Sequence, residues 1–320
     1  MMQRSLWTYV LLLAALVAGC QSKSEKPAEY PNVDRESKIP SDIAKRTPAT
    51  DATPPIMHSN EFDAPVPLPY PVNTAGAEDS PFILPDGSVL YFFFTPDVRV
   101  APEKQILDQV SGVYVTQSAG GTWGKAQRVW LEAPGKLSLE GAVCIEGSRM
   151  WFASAREGYT GVNMFTSDLV NGRWINWTYA GDRLMKEIQI GEVHVHGDTL
   201  YFHSMRAGGK GSLDLWMTVR SGAIWSDPVN LEPLNTTAAE GYPFVTGDGN
   251  ELWFTRTYLG TPAVFRSKRT AGVWGAPELI VSQYAGEPTL DAAGNLYFVH
   301  HFYESGVMIE ADIYQAMKKN

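Results

Sequence analysis

From Glu78 onward one hydrophobic pattern recurs along the chain. It runs through a glutamate, a short apolar strand, a Gly or Asp-Gly turn, an apolar–aromatic–Phe triplet and a second aromatic strand. The triplets are Leu90-Tyr91-Phe92, Met150-Trp151-Phe152, Leu200-Tyr201-Phe202, Leu252-Trp253-Phe254 and Leu296-Tyr297-Phe298, and their central aromatics stand 60, 50, 52 and 44 residues apart. Such a period belongs to a propeller blade or a solenoid rung. The turns Asp86-Gly87, Gly147-Ser148, Gly197-Asp198, Asp248-Gly249 and Ala293-Gly294 precede the triplets, where a tight hairpin needs residues tolerant of positive φ. A third strand carries Tyr114, Phe165, Trp216, Phe265 or Tyr314, and a fourth begins near Trp123, Trp174, Trp225 or Trp274.

The fifth unit lacks a fourth strand before the sequence given stops at Asn320, and its equivalent lies near the other end. Phe62-Asp63-Ala64-Pro65-Val66 mirrors Trp225-Ser226-Asp227-Pro228-Val229, and Val72-Asn73-Thr74 to Glu78 mirrors Leu234-Asn235-Thr236 to Glu240. An N-terminal strand that completes the last blade closes a ring and removes the open sheet edge. The expected fold is therefore all-β: a five-bladed propeller over residues 61–320 with four-stranded blades, the last closed by the N-terminal strand. A β-solenoid is the alternative, but it would need shorter rungs and leaves the donated strand unexplained.

Ahead of the repeats, Arg4 is followed by the apolar run Leu6 to Val17 and then Val17-Ala18-Gly19-Cys20. The run is too short for a membrane span, which needs about twenty apolar residues. It resembles a bacterial lipoprotein signal over residues 1–19 with its lipobox. The resemblance implies acylation (palmitate) at Cys20, a propeller outside the cytoplasm and, with Gln21 in place of an aspartate, the outer membrane. Residues 20–60 are rich in Lys, Glu, Ser, Thr and Pro and read as a flexible tether, because so polar a stretch does not repay its ordering entropy. The chain carries 26 basic and 35 acidic residues, a net charge of −9. That balance argues against nucleic acid, whose phosphate backbone calls for a basic stripe.

Glu240-Gly241-Tyr242-Pro243-Phe244 through Asp248-Gly249 to Leu252-Trp253-Phe254, with Trp225 to Pro228 ahead of Leu234-Asn235-Thr236, resemble the WD40-like (PD40) repeats of TolB-type propellers. The resemblance covers residues 62–317, and similar repeats occur in bacterial envelope lipoproteins. It implies a fold and leaves activity open, since propellers host binders, lyases and hydrolases.

Hairpin geometry places Glu192 opposite His203 and His196 opposite Thr199, so Glu192 and His203 share one mouth of the ring and His196 belongs to the other. The same reasoning gathers Glu78, Glu140, Glu192, Glu240 and Glu287 at one mouth, with His300, His301, Arg156, Arg206 and Arg256. Converging carboxylates are hard oxygen ligands suited to Ca²⁺. Equally, a glutamate repeated in each blade suits an architectural role, accepting backbone N–H groups or pairing with an arginine. Glu192, His203 and His300 form a further possible metal set, of the kind zinc takes; no cofactor is otherwise expected. Cys144 reads as a buried small hydrophobe. Tyr159, Tyr258 and Tyr303 fall in loops suited to a stacking rim, and Thr95 to Ser111 widens the first unit.

Walker-type loops, dinucleotide fingerprints, His-Glu-x-x-His and Gly-x-Ser-x-Gly are all missing from the sequence. The expected function is thus a lipid-anchored, non-enzymatic binding or scaffold module for an envelope protein or polysaccharide. A glycosidase or lyase using paired carboxylates at the mouth is the alternative.

Overall fold

The computed structural model describes residues 30–319; the expected signal segment over residues 1–19 and Cys20 lie outside the described residues. Five antiparallel sheets stand in sequence order. The first strands, innermost in each blade, are Ala77–Ile83, Ser138–Glu146, Val193–His196, Glu240–Val245 and Ala285–Leu290. Each touches the next around the ring, and the fifth returns to the first. The triplets form the second strands and are buried throughout. Phe92, Phe152, Phe202, Phe254 and Phe298 are all at 0% exposure, so the aromatic repeat is the packing unit between neighbouring sheets.

The N-terminal segment closes the ring as expected. Val66–Pro67 pairs with Val307–Ala316 as the outer strand of blade V, with Val66 opposite Gln315 and Pro67 opposite Tyr314, and Phe62 bridges to Lys318. An unforeseen second donation comes just before it, where Ile56–Met57 adds to the outer edge of blade IV against Val281 and Ser282.

The tether expectation fails for residues 30–60, which are laid over the ring. Tyr30 stacks on Trp130 at 5.6 Å. Arg35, 1% exposed, donates to Glu78 at 2.8 Å and to the carbonyl oxygens of Pro71 and Val72, between the rings of Phe92 and Phe94. Lys45 pairs with Glu310 and Asp312, Arg46 with Glu304, and Asp51 with the fully buried His300. The polarity of this stretch is therefore in part pairing with the propeller. Three of its charges, Arg35, Lys45 and Asp51, are the partners of acidic groups and a histidine that the propeller buries, and an unpaired buried charge would be costly. Among the described residues no helix is long and apolar enough to cross a membrane.

Candidate functional site

Four of the five innermost strands carry a β-bulge at the same place, between Asp79 and Phe82, Gly141 and Cys144, Gly241 and Phe244, and Gly286 and Thr289. At each bulge one residue takes a left-handed backbone: Ser80, Ala142, Tyr242 and Glu287, with φ of 47°, 49°, 56° and 53°. A bulge re-aims a side chain, and these four point at the channel axis with Glu192 of blade III. Two residues further on, Phe82, Cys144, His194, Phe244 and Thr289 pair with the central aromatics of their blades and plug the channel. Burial pushes the Cys144 thiol up to about 12 and the His194 imidazole down to about 3, so both plug residues are uncharged.

This register divides the expected ring of five glutamates into two kinds. Glu78, Glu140 and Glu240 sit two residues before the channel position and turn between blades. Glu78 accepts from the Thr74 N–H and hydroxyl as well as Arg35, and Glu240 accepts from the Thr236 N–H and hydroxyl and from Arg256 at 2.8 Å. Glu140 pairs with Arg128 at 3.0 Å. These three are architectural, which excludes them from a shared cation site.

The loop arginines are tied down as well. Arg156 lies 4.1 Å over Phe165 and bonds Glu132, Arg256 lies 4.6 Å over Phe265, and Arg206 lies 4.7 Å over Trp216. Each turns back on the aromatic of its own third strand. His300 faces Asp51 away from the channel, so the set Glu192, His203 and His300 is not brought together.

What remains at the mouth is a narrow well of about 50 Å³. Glu192 and Glu287 enter it from blades III and V, Tyr242 from blade IV between them, and Asp79 and His301 lie beside Glu287. Ligand atoms of Asp79, Glu287 and His301 all lie within 4.8 Å of one another. Ser80 donates to Glu287 at 2.5 Å, and His301 Nε2 lies 3.6 Å from Asp79. Sequence reasoning missed Tyr242, which only the bulge carries to the axis, and Asp79, which stands beside the bulge residue Ser80.

The carboxyls titrate apart. Burial, then the charge of Asp79, pushes Glu192 up to about 8. Burial, Asp79 and Glu192 raise Glu287 well above the usual carboxylate range. Burial also acts on Asp79, but His301 outweighs it and holds that carboxyl low. The charges of Glu287 and Glu192, with burial, raise the Tyr242 hydroxyl. Among the described residues no lysine or arginine pairs with these three acids, whereas Glu78, Glu140, Glu240 and Glu310 each have one.

His203 braces the well from behind. Its Nδ1 faces the N–H of Tyr242 and its Nε2 the N–H of Glu192, each at 3.2 Å. Burial holds the ring down to about 4, hence neutral, so one nitrogen accepts and the other carries the proton. The ring fits only because its neighbours are glycines: a Cβ on Gly191 would come 2.2 Å from His203 and one on Gly241 2.9 Å.

On this face every second-to-third strand connection, or the strand end that follows it, exposes an apolar side chain. Leu107, Val162, Met205, Leu259 and Val307 are exposed by 61%, 66%, 82%, 87% and 58%. Of the expected stacking rim, Tyr303 stacks on Tyr284 at 4.5 Å, while Tyr159 and Tyr258 fold back toward Phe165 and Phe265. The widened first loop carries a short helix, Pro102–Gln105, and Asp108 accepts the N–H groups of Val110 and Ser111. The opposite mouth opens into a larger cavity of about 1130 Å³ that includes His196 and Lys318. Its acidic groups are spent locally, Glu146 on the Gly197 N–H, Asp291 on Asn295 and Glu251 on Trp253.

No family model matches the chain, and no curated protein does. Solved structures similar to it include TolB-type propellers. TolB from Acinetobacter baumannii is 12% identical over 78% of this chain, with a TM-score of 0.45, and the match spans only 56% of that protein. A protein of unknown function from Dyadobacter fermentans DSM 18053 is 12% identical over 82% of this chain and 100% of its own, with a TM-score of 0.49. The endo-arabinase from Bacteroides thetaiotaomicron VPI-5482 is 14% identical over 78% of this chain and 96% of its own, with a TM-score of 0.49. None of these likenesses carries chemistry over to this chain.

Proposed function

We propose that this chain is a lipid-anchored propeller of the bacterial cell envelope that acts as a non-enzymatic binding module, docking an envelope protein or polymer on its loop face. The observation that carries this reading is the combination of a well too small for a substrate with a surface suited to docking. Ligand pockets run to about 300–1,000 Å³, and the acidic well is far smaller, about 50 Å³ above a plugged channel. One exposed apolar side chain per blade surrounds it, the composition of an interaction face rather than of a solvated rim.

A second reading, a glycan-acting enzyme, is favoured by one observation. Asp79 is held low while Glu192 and Glu287 are pushed high, the separation that assigns base and acid roles to neighbouring carboxyls. The two readings part on Glu192→Gln, assayed on a panel of envelope and plant-type glycans. A binding module shows no turnover in either form, whereas glycan cleavage by the wild type that Glu192→Gln abolishes would establish the enzyme. The anchor is tested by radiolabelled palmitate incorporation, expected in the wild type and lost in Cys20→Ser.

A further inference from the structure

The loop face joins two features that call for the same kind of partner. The collar of Leu107, Val162, Met205, Leu259 and Val307 is exposed apolar surface supplied by all five blades, which a soluble polymer of sugars would not cover well and a protein surface would. On the same face Glu192 and Glu287 line the well and Asp79 lies beside Glu287; the fold gives none of the three a lysine or arginine, Asp79 having His301 instead, although it supplies one to each architectural glutamate around them. The well takes one side-chain-sized group and no more. An acidic pocket inside an apolar collar is the complement of a basic side chain standing among apolar ones, the arrangement typical of interface anchors.

We infer that the partner is a protein that inserts one lysine or arginine side chain between Glu192, Glu287 and Asp79 while its neighbouring apolar residues rest on the collar. This inference rests on the binding reading above and names its partner. Entry of the cation supplies the missing counter-charge, so Glu192 and Glu287 ionise and give up protons as the complex forms. Tyr242, at the same level of the channel, offers its hydroxyl to the incoming group or to the carboxylates. The neutral His203 ring, packed behind Tyr242 and Glu192 and able to accept one of their two backbone N–H groups, is a positioning residue.

The test uses the full mature chain in detergent and two short peptides, acetyl-Leu-Arg-Leu-amide and acetyl-Leu-Gln-Leu-amide, titrated by calorimetry. The expected result is at least tenfold tighter binding of the arginine peptide, with proton release into the buffer. That preference should disappear in Glu287→Gln and fall with added salt, while melting curves show both forms folded. Met205→Asp should weaken both peptides and preserve their ratio. Equal affinity for the two peptides would overturn the cation and leave collar docking standing, and failure of both peptides to bind would overturn the inference outright. Stoichiometric uptake of Ca²⁺ or Mn²⁺ that blocks the arginine peptide and is lost in Asp79→Asn would also overturn it, assigning the well to a metal ion.

Discussion

Asn73 in the N-terminal segment occupies in blade V the position that Asn235 occupies in blade III. Asn73 Oδ1 accepts the N–H of Ile313 at 3.0 Å and its Nδ2 donates to the Ile313 carbonyl at 2.9 Å. Asn235 does the same with Leu215, at 2.8 and 2.9 Å. Ile313 and Leu215 each precede the large aromatic of a third strand, Tyr314 and Trp216. The outer strand of blade V thus arrives from a point about 240 residues away in sequence and is locked by the same asparagine clasp that locks a strand arriving from the adjacent turn.

Replacing Asn73 by Ala should therefore destabilise the whole ring. It leaves the buried N–H of Ile313 and the carbonyl of Leu68 without their partner, while the Ile313 carbonyl keeps the Leu68 N–H, about 1–3 kcal/mol for such a loss. In a domain of this size that corresponds to a melting temperature lower by roughly 2–10 °C, read by calorimetry. Deleting residues 61–73 should cost more, and an unchanged melting temperature would show that the ring closes without them.

Arg35→Ala should be among the most damaging single changes in the chain. It strands the fully buried Glu78, whose carboxyl burial already pushes up to about 8 against the pull of Arg35. Breaking a buried pair on one side costs about 3–5 kcal/mol, whereas replacing both partners by neutral groups costs much less. Denaturant titration should show Arg35→Met with Glu78→Gln more stable than Arg35→Ala. Protease should cut near residues 30–50 in both, because the anchoring ion pair is lost.

Glu192 gives the fold a pH dependence of definite sign. Its carboxyl is pushed up to about 8 in the folded chain from 4.5, so between those values the folded state binds more protons than the unfolded state. Stability from this group is full below about 4.5 and is lost as pH rises through 8. Glu192→Gln should remove that slope, stabilising the fold at pH 8.5 by a few kcal/mol, read as a higher melting temperature, and changing it little at pH 5. A wild type and variant that run parallel from pH 5 to 8.5 would contradict the placement of Glu192 in the well.

Gly191→Ala should disable binding while the blades remain paired. The new Cβ would fall 2.2 Å from the His203 ring and 2.8 Å from its backbone oxygen, so the ring must shift away from the Glu192 and Tyr242 N–H groups it faces. Overpacking of this kind costs about 1–3 kcal/mol. The expected signature is a modest drop in melting temperature with a large loss of ligand affinity.

The triplets made the fold legible, since aromatic and branched residues at a blade-length period have few other uses. So was the closing strand, because Phe62 to Glu78 repeats the spacing of Trp225 to Glu240. The site was legible only in part. Counting strand positions in twos puts five glutamates in one ring, but the bulges at Ser80, Ala142, Tyr242 and Glu287 insert residues that period-two counting does not register. Glu192 and Glu287 consequently occupy the channel and the other three do not. Residues 30–60 misled for a different reason. Composition marks them as hydrated, and the partners that bury their charges, such as Glu78 for Arg35 and Glu310 for Lys45, lie 43 and 265 residues away.

The most direct test of the account is quantitative partner capture from native envelopes. It would compare the full-length wild type with Glu287→Gln, which alters only the well, and with Met205→Asp, which alters only the collar. The account predicts one enriched partner that is depleted in both variants, with no glycan product released by the wild type. A partner set unchanged by both variants, or release of soluble sugar that depends on Glu287, would contradict it.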